Sequence, residues 1–67
     1  MWIVIQMLKG RTQADKALAM LSGEGILAKA RSIYKNVEDE QNYYEIMTLQ
    51  SEAEEAQQIL LVMDFSK

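Results

Sequence analysis

The residues whose types and spacing could do chemistry surround the first glycine of the chain. Lys9 and Arg11 flank Gly10, directly before Thr12. A glycine turn that leads into a helix leaves backbone N–H groups free at the helix N-terminus, where phosphates and carboxylates bind. Parallel first and second strands would bring Lys35 to the same end of the sheet. We therefore expect a candidate site for a small anionic metabolite or nucleotide, formed by Lys9, Gly10, Arg11 and Lys35.

A tight turn with solvated cations is the alternative for this segment, because a single glycine lacks the repeated-glycine fingerprint of nucleotide-binding loops. A second polar group follows at Glu38, Asp39 and Glu40. Carboxylates are ligands for Mg²⁺ and Ca²⁺, but this run lacks the spacing and the glycine of an EF-hand loop. We interpret it as a solvated loop that neutralises the nearby cations, and we expect no metal site and no cofactor.

The chain offers few combinations of residues that could carry out catalysis. The chain contains no histidine and no cysteine, so the commonest acid–base group is missing and the serines have no histidine partner. Ser32 and Lys35 have the spacing of a serine–lysine pair, but the companion motifs of that enzyme class are absent. Positions three apart on a strand also point to opposite faces. We expect a protein that is not an enzyme and has no catalytic residues.

Length and charge narrow the class of protein further. A chain of 67 residues forms one domain, 1–67, and buries only about 60% of its unfolded surface. With no disulfide to stabilise it, association with another chain is the expected source of further burial. The net charge of −3 argues against nucleic acid as a partner, even though Tyr43 and Tyr44 could stack on bases.

The apolar start of the chain is too short to cross a membrane, which takes about 20 residues. It also lacks the positive charge that opens a signal peptide, since the first cationic side chain is Lys9. We therefore expect a soluble, cytoplasmic protein with no membrane partner.

The first half of the chain predicts a strand and then a helix. Residues 2–8 form a short apolar run rich in β-branched side chains and closed by Lys9-Gly10, which is typical of a buried strand. Thr12 with Asp15 has the spacing of a capping box at a helix start. Gly25 is the expected terminating residue, with Ile26 folding back onto the last turn. The apolar face of this helix comprises Ala14, Ala17, Leu18 and Leu21.

The second half predicts two strands and a second helix. Residues 27–34 alternate, with Lys29 and Arg31 on the solvent side. Residues 36–42 are polar and form a hairpin loop, and residues 43–49 form the third strand. Ser51 and Glu54 make a second capping box. The face of the helix that follows comprises Ala56, Ile59, Leu60 and Met63.

One alternative replaces the third strand by a single long helix from about residue 38. Its support is a coiled-coil spacing of apolar residues, alternately three and four apart, at Ile46, Leu49, Ala53, Ala56, Leu60 and Met63. Tyr43, Tyr44 and Thr48 favour a strand, and Ser51 serves better as a cap. We therefore prefer the strand.

The element order predicts an α+β fold, a two-layer βαββα sandwich. Its three-stranded sheet has the order 1-3-2, and both helices cover one face, as in a ferredoxin-like fold that lacks its last strand. The apolar first strand then lies at an edge, which invites pairing with another chain. The uncovered face also carries more apolar surface than a small monomer usually exposes.

We accordingly expect a homodimer, formed by the strand edge or by the sheet face, or docking onto a larger protein. The expected interface on the first strand is Ile3, Ile5 and Met7 or else their neighbours. The later strands contribute Ile33, Tyr43 and Met47.

Several short segments resemble a known family. They are Trp2-Ile-Val-Ile at the start, Arg11-Thr-Gln-Ala-Asp, Leu21-Ser-Gly-Glu-Gly-Ile, and Tyr44-Glu-Ile leading into Ser51-Glu-Ala-Glu-Glu-Ala. Together they resemble the putative signal-transducing family of small uncharacterised bacterial proteins, over nearly the whole chain. The family often has a proline where this chain has Leu49-Gln50. The resemblance implies a βαββα fold and, through distant likeness to PII-type nitrogen-regulatory modules, a regulatory role without agreed catalytic residues.

Overall fold

The computed structural model describes residues 1–62. The elements are β1 (Trp2–Lys9), α1 (Arg11–Gly23), β2 (Ala28–Ser32), β3 (Tyr43–Leu49) and α2 (Ala53–Val62). Single turns of 3₁₀-helix precede β3 at Asp39–Gln41 and precede α2 at Gln50–Glu52. β3 lies between β1 and β2 and runs antiparallel to both. The predicted α+β sandwich with strand order 1-3-2, a ferredoxin-like fold lacking its last strand, is confirmed, and the long-helix alternative is wrong because residues 43–49 are extended.

The core lies between one face of the sheet and the two helices. On β3 the side chains of Tyr44, Ile46 and Thr48 are buried, whereas their neighbours are not. The helices meet them with the predicted faces: Ala14, Ala17 and Leu21 of α1 and Ala56 and Leu60 of α2 are buried, and Leu18 and Ile59 pack at the margin. Met63, the fourth residue predicted for the face of α2, lies outside the described residues.

β1 contains an irregularity that the sequence pattern does not show. Its register against β3 shifts between Val4 and Gln6, as in a β-bulge. An extra residue in one strand interrupts the strict alternation of side chains. Before the bulge the even-numbered side chains of β1 therefore point away from the helices, and after the bulge the odd-numbered ones do.

The bulge decides which residues of β1 face the helices. Ile5 is only 8% exposed and Ile3 packs against the core, so the alternative that placed both on the uncovered face is wrong. Their neighbours Trp2 and Val4 lie there instead, paired with residues of β3 that point away from the helices. Met7, beyond the bulge, lies on the uncovered face, so neither alternative for this strand holds along its whole length.

The end of α1 follows the prediction. Gly25 has a φ of 80°, and its N–H donates to the carbonyl of Ser22 at 3.0 Å. The N–H of Ile26 donates to the carbonyl of Leu21 at 2.9 Å, which completes a Schellman motif. Both apolar side chains of this motif, Leu21 and Ile26, are buried.

The predicted helix starts are wrong in detail. α1 begins at Arg11 with Gly10 as its N-cap residue, so neither Thr12 nor the N-cap residue itself supplies a side-chain cap. Asp15 instead accepts a hydrogen bond from Arg11 Nε at 3.2 Å. Ser51 lies inside the 3₁₀ turn before α2, and that turn also begins without a side-chain cap. Both capping boxes fail because the backbone becomes helical one or more residues before the position that the box requires.

Two glycines at opposite ends of α1, the N-cap residue Gly10 and the last helical residue Gly23, provide a matched test of this geometry. Gly10 has a φ of 93°, and an added Cβ would lie 3.0 Å from Glu40 Oε1. We expect Gly10→Ala to lower the free energy of unfolding by about 1–3 kcal/mol, because L-residues rarely adopt this backbone conformation. Gly23 is helical with open space around it, so Gly23→Ala should raise that free energy by up to about 1 kcal/mol. Urea denaturation measures both, and equal effects of the two substitutions would contradict the assignment.

Candidate functional site

The N-terminus of α1 is filled by a carboxylate of the same chain. Glu40 Oε2 accepts hydrogen bonds from the backbone N–H of Thr12 at 2.9 Å and from the Thr12 hydroxyl at 2.8 Å. A carboxylate suits this position, because the helix dipole and the free N–H groups both favour negative charge. The segment predicted to bind an external anion therefore holds an internal one.

The predicted cations do not converge on that helix end. Lys9 points to the other side of the sheet, where its Nζ lies 5.9 Å from the centre of the Tyr43 ring. Arg11 pairs with Asp15 and, at 3.7 Å, with Asp39. Lys35 is exposed in the loop after β2. The structure thus places Gly10 and Arg11 against the acidic loop. The side chain of Lys9 lies on the opposite side of the sheet and does not contribute to this group.

Asn42, which the sequence analysis did not single out, anchors this loop. The residue is buried, with 3% of its surface exposed. The amide oxygen accepts the backbone N–H groups of Tyr34 at 3.1 Å and Tyr43 at 2.8 Å, and the amide nitrogen donates to the Tyr34 carbonyl at 2.8 Å. Its backbone carbonyl accepts the Gly10 N–H at 2.8 Å. The only sequence signal is the frequent use of asparagine in turns, where its side chain bonds nearby backbone.

A polar cavity of about 400 Å³ lies between α1, β2 and this loop. The hydroxyl of Tyr44 reaches it and lies 3.4 Å from Asp39 Oδ1. Burial raises the pKa of Tyr44, and the negative charge of Asp39 adds to that rise. The hydrogen bond to Asp15 raises the pKa of Arg11. The cavity therefore contains a satisfied ion-pair network rather than a base poised beside a nucleophile.

The acidic run does not form a cation site in the described part of the chain. Asp39 pairs with Arg11 and Glu40 accepts hydrogen bonds from Thr12, so each of these two carboxylates has a partner at the start of α1. Across residues 1–62 no three histidine, cysteine, aspartate or glutamate side chains are grouped to hold a metal ion.

Neither described helix combines the length and the apolar character needed to cross a membrane.

The second candidate site is the uncovered side of the sheet, which we call the open face. Its side chains are identified by pairing with the residues of β3 that point away from the core: Trp2, Val4, Met7 and Lys9 on β1, Lys29 and Arg31 on β2, and Tyr43, Glu45, Met47 and Leu49 on β3. Ile33 continues this face, since its N–H donates to the Tyr43 carbonyl. Met7 is 53% exposed and Val4 is 44% exposed. Of the predicted interface residues, the structure therefore brings together Met7, Ile33, Tyr43 and Met47.

The charges of the open face are mainly positive. Arg31 Nε donates to Glu45 Oε1 at 2.9 Å, and Lys29 Nζ lies 4.3 Å from the centre of the Trp2 ring. Three cations stand against one carboxylate on the described strands, a net charge of +2. This sign is opposite to that of the whole chain, whose net charge is −3.

Comparison of the chain with known proteins found no matching family model, no matching curated protein and no matching solved structure. The open face, the strand edges and the N-terminus of α1 are therefore the features of the molecule from which a function can be inferred.

We expect Glu40→Ala to lower the free energy of unfolding by about 1 kcal/mol, the usual effect of removing a helix cap. The substitution also frees the Thr12 N–H. Inorganic phosphate should then shift the amide NMR signals of residues 10–13 in the variant but not in the unaltered protein.

The control is Glu38→Ala, which removes the same charge from an exposed position of the same loop. Equal stability of the Glu38 and Glu40 variants would show that the carboxylate of Glu40 does not cap α1.

The raised pKa of Tyr44 predicts a loss of stability in alkaline solution. Above about pH 10 the tyrosine of the unfolded chain ionises first, so the folded state binds more protons and its stability falls as the pH rises. Tyr44→Phe removes this contribution. Urea denaturation from pH 9 to pH 11 should show the unaltered protein losing stability relative to the variant, and a constant difference would contradict the assignment.

Proposed function

We propose that this chain is a small, non-catalytic, cytoplasmic interaction module that associates with a second copy of itself through its sheet and acts in signalling. One observation carries the proposal. Both helices cover the same side of the sheet, which leaves an apolar open face, and the apolar strand β1 lies at an edge of the sheet.

The amount of exposed apolar surface supports association. Large apolar side chains with more than a third of their surface exposed include Val4, Met7, Ile33 and Tyr43, all on the open face. Burying such side chains contributes about 25 cal/mol per Å² of apolar surface removed from water. A domain of this length has few other ways to gain burial.

The signalling part of the proposal is supported by the resemblance to the putative signal-transducing family. The segments that carry it occupy structured positions: the β1 strand, the start and end of α1, and the path from β3 into α2. That family has no agreed catalytic residues, which agrees with an interaction role. A larger protein that docks on the sheet is the other partner considered.

The second candidate function is regulation by a small anionic metabolite or nucleotide at the N-terminus of α1. The contacts of Thr12 with a carboxylate at 2.9 Å and 2.8 Å favour it, because this helix end already binds an anion. Such a ligand would have to displace Glu40. The carboxylate of Glu40 thus competes with any external anion for the Thr12 N–H. Self-association requires no displacement of an existing contact, and we therefore rank it first.

Sedimentation equilibrium tests the proposed self-association. We expect a concentration-dependent dimer, and we expect Met7→Lys to raise its dissociation constant by about tenfold or more, since a charged side chain on an edge strand opposes pairing with another strand and adds to the positive charge of the open face. Leu61→Lys on α2 is the matched control: Leu61 is 57% exposed and Met7 is 53% exposed, but only Met7 lies on the sheet. A protein that stays monomeric at high micromolar concentration would overturn the proposal.

A further inference from the structure

The open face and the edge of β1 are not equally suited to a second copy. Two open faces packed together would oppose a net charge of +2 on each copy, and opposed like charges are costly at an interface. Such packing would also remove water from the Arg31–Glu45 pair, which costs free energy. The charges of the open face therefore disfavour face-to-face packing of two copies of this chain.

The two edges of the sheet also differ. β2 has five residues and carries Lys29 and Arg31. Short edges with charged side chains resist pairing. β1 has eight residues, and no charged side chain occurs between Trp2 and Leu8. Among the described strands, β1 is therefore the edge that lacks protection against another strand.

The hydrogen-bond pattern shows which residues of β1 can pair outward. The Gly10 N–H donates to the Asn42 carbonyl, and the Gln50 N–H donates to the Met1 carbonyl. In an antiparallel ladder, successive residues point their backbone groups to alternate sides. The two bonds show that the backbone groups of Met1 and Gly10 point toward β3. Alternating from each end as far as the bulge, the residues whose backbone N–H and C=O groups point away from β3 are Trp2, Val4, Met7 and Lys9.

We propose that two copies pair antiparallel along β1, with Val4 of each copy opposite Met7 of the other. The inference rests on the self-association proposed above and gives its geometry. This register uses all four outward residues of each copy, because Trp2 of one copy then lies opposite Lys9 of the other. A shift by one pair in either direction leaves one of these residues without a partner.

Side-chain chemistry agrees with this register. Val4 and Met7 are apolar and exposed on the same face. Lys9 of one copy comes beside the indole of Trp2 of the other, where a cation is attracted to the ring. On the covered side, Ile3 of one copy approaches Leu8 of the other and extends the core. The paired sheets form six continuous strands, with all four helices on one side.

Cysteine cross-linking tests the register. The chain has no cysteine of its own, so Val4→Cys and Met7→Cys each introduce a single thiol. Directly opposed residues of a hydrogen-bonded pair have Cα atoms about 5.5 Å apart, within the range that a disulfide bridges. The two cysteines at position 4, or the two at position 7, would lie beyond about 7 Å and could not be bridged.

An equal mixture of the two variants, oxidised at a concentration where sedimentation shows dimer, should therefore give the mixed disulfide in at least about tenfold excess over either homodisulfide. Met47→Cys, on the open face of the central strand, should stay reduced. A dimer in which position 47 cross-links to itself, or in which the three disulfides form in statistical proportion, overturns this register and leaves self-association intact. Absence of any dimer overturns both.

Discussion

The bulge in β1 is the constraint on which the rest of the structure depends. Strict alternation would place Ile5 and Leu8 on opposite faces of the strand. The register shift between Val4 and Gln6 brings both into the core. The same shift sends Val4 and Met7 to the open face. One extra residue thus completes the core with the apolar side chains of β1 and, at the same time, supplies the exposed apolar surface on which the functional proposal rests.

The acidic loop shows how a local pattern can resemble a ligand site and yet be satisfied internally. Gly10, Arg11 and Thr12 have the features of an anion site when they are considered alone. Glu40, 28 residues beyond Thr12, supplies the anion, and Asn42 fixes the loop from which it reaches. The loop therefore closes the helix end and orders the connection between β2 and β3, and an external anion would have to disrupt both arrangements.

Features set by short-range periodicity could be predicted from the sequence, and features set by distant contacts could not. The apolar spacing of Ala14, Ala17 and Leu21 and the position of Gly25 depend on neighbouring residues, and the structure confirms them. The strand order follows from element lengths and connections. The cap by Glu40 and the bulge in β1 depend on residues brought together only by folding. Local motifs therefore predicted the wrong caps and left open which face of β1 carries Ile3 and Ile5.

The distribution of charge indicates that a second copy of this chain and a larger partner protein would bind to different surfaces. Most carboxylates of residues 1–62 lie in the loop before β3 and around the start of α2, whereas the open face is positive. Pairing along β1 would join backbone groups at the edge, bring Val4 and Met7 of the two copies together, and leave the rest of both open faces uncovered. A larger partner that docks there would meet a basic, apolar surface and would need acidic groups to match it. The second copy and the larger protein would thus use different surfaces of the same sheet, and neither would exclude the other.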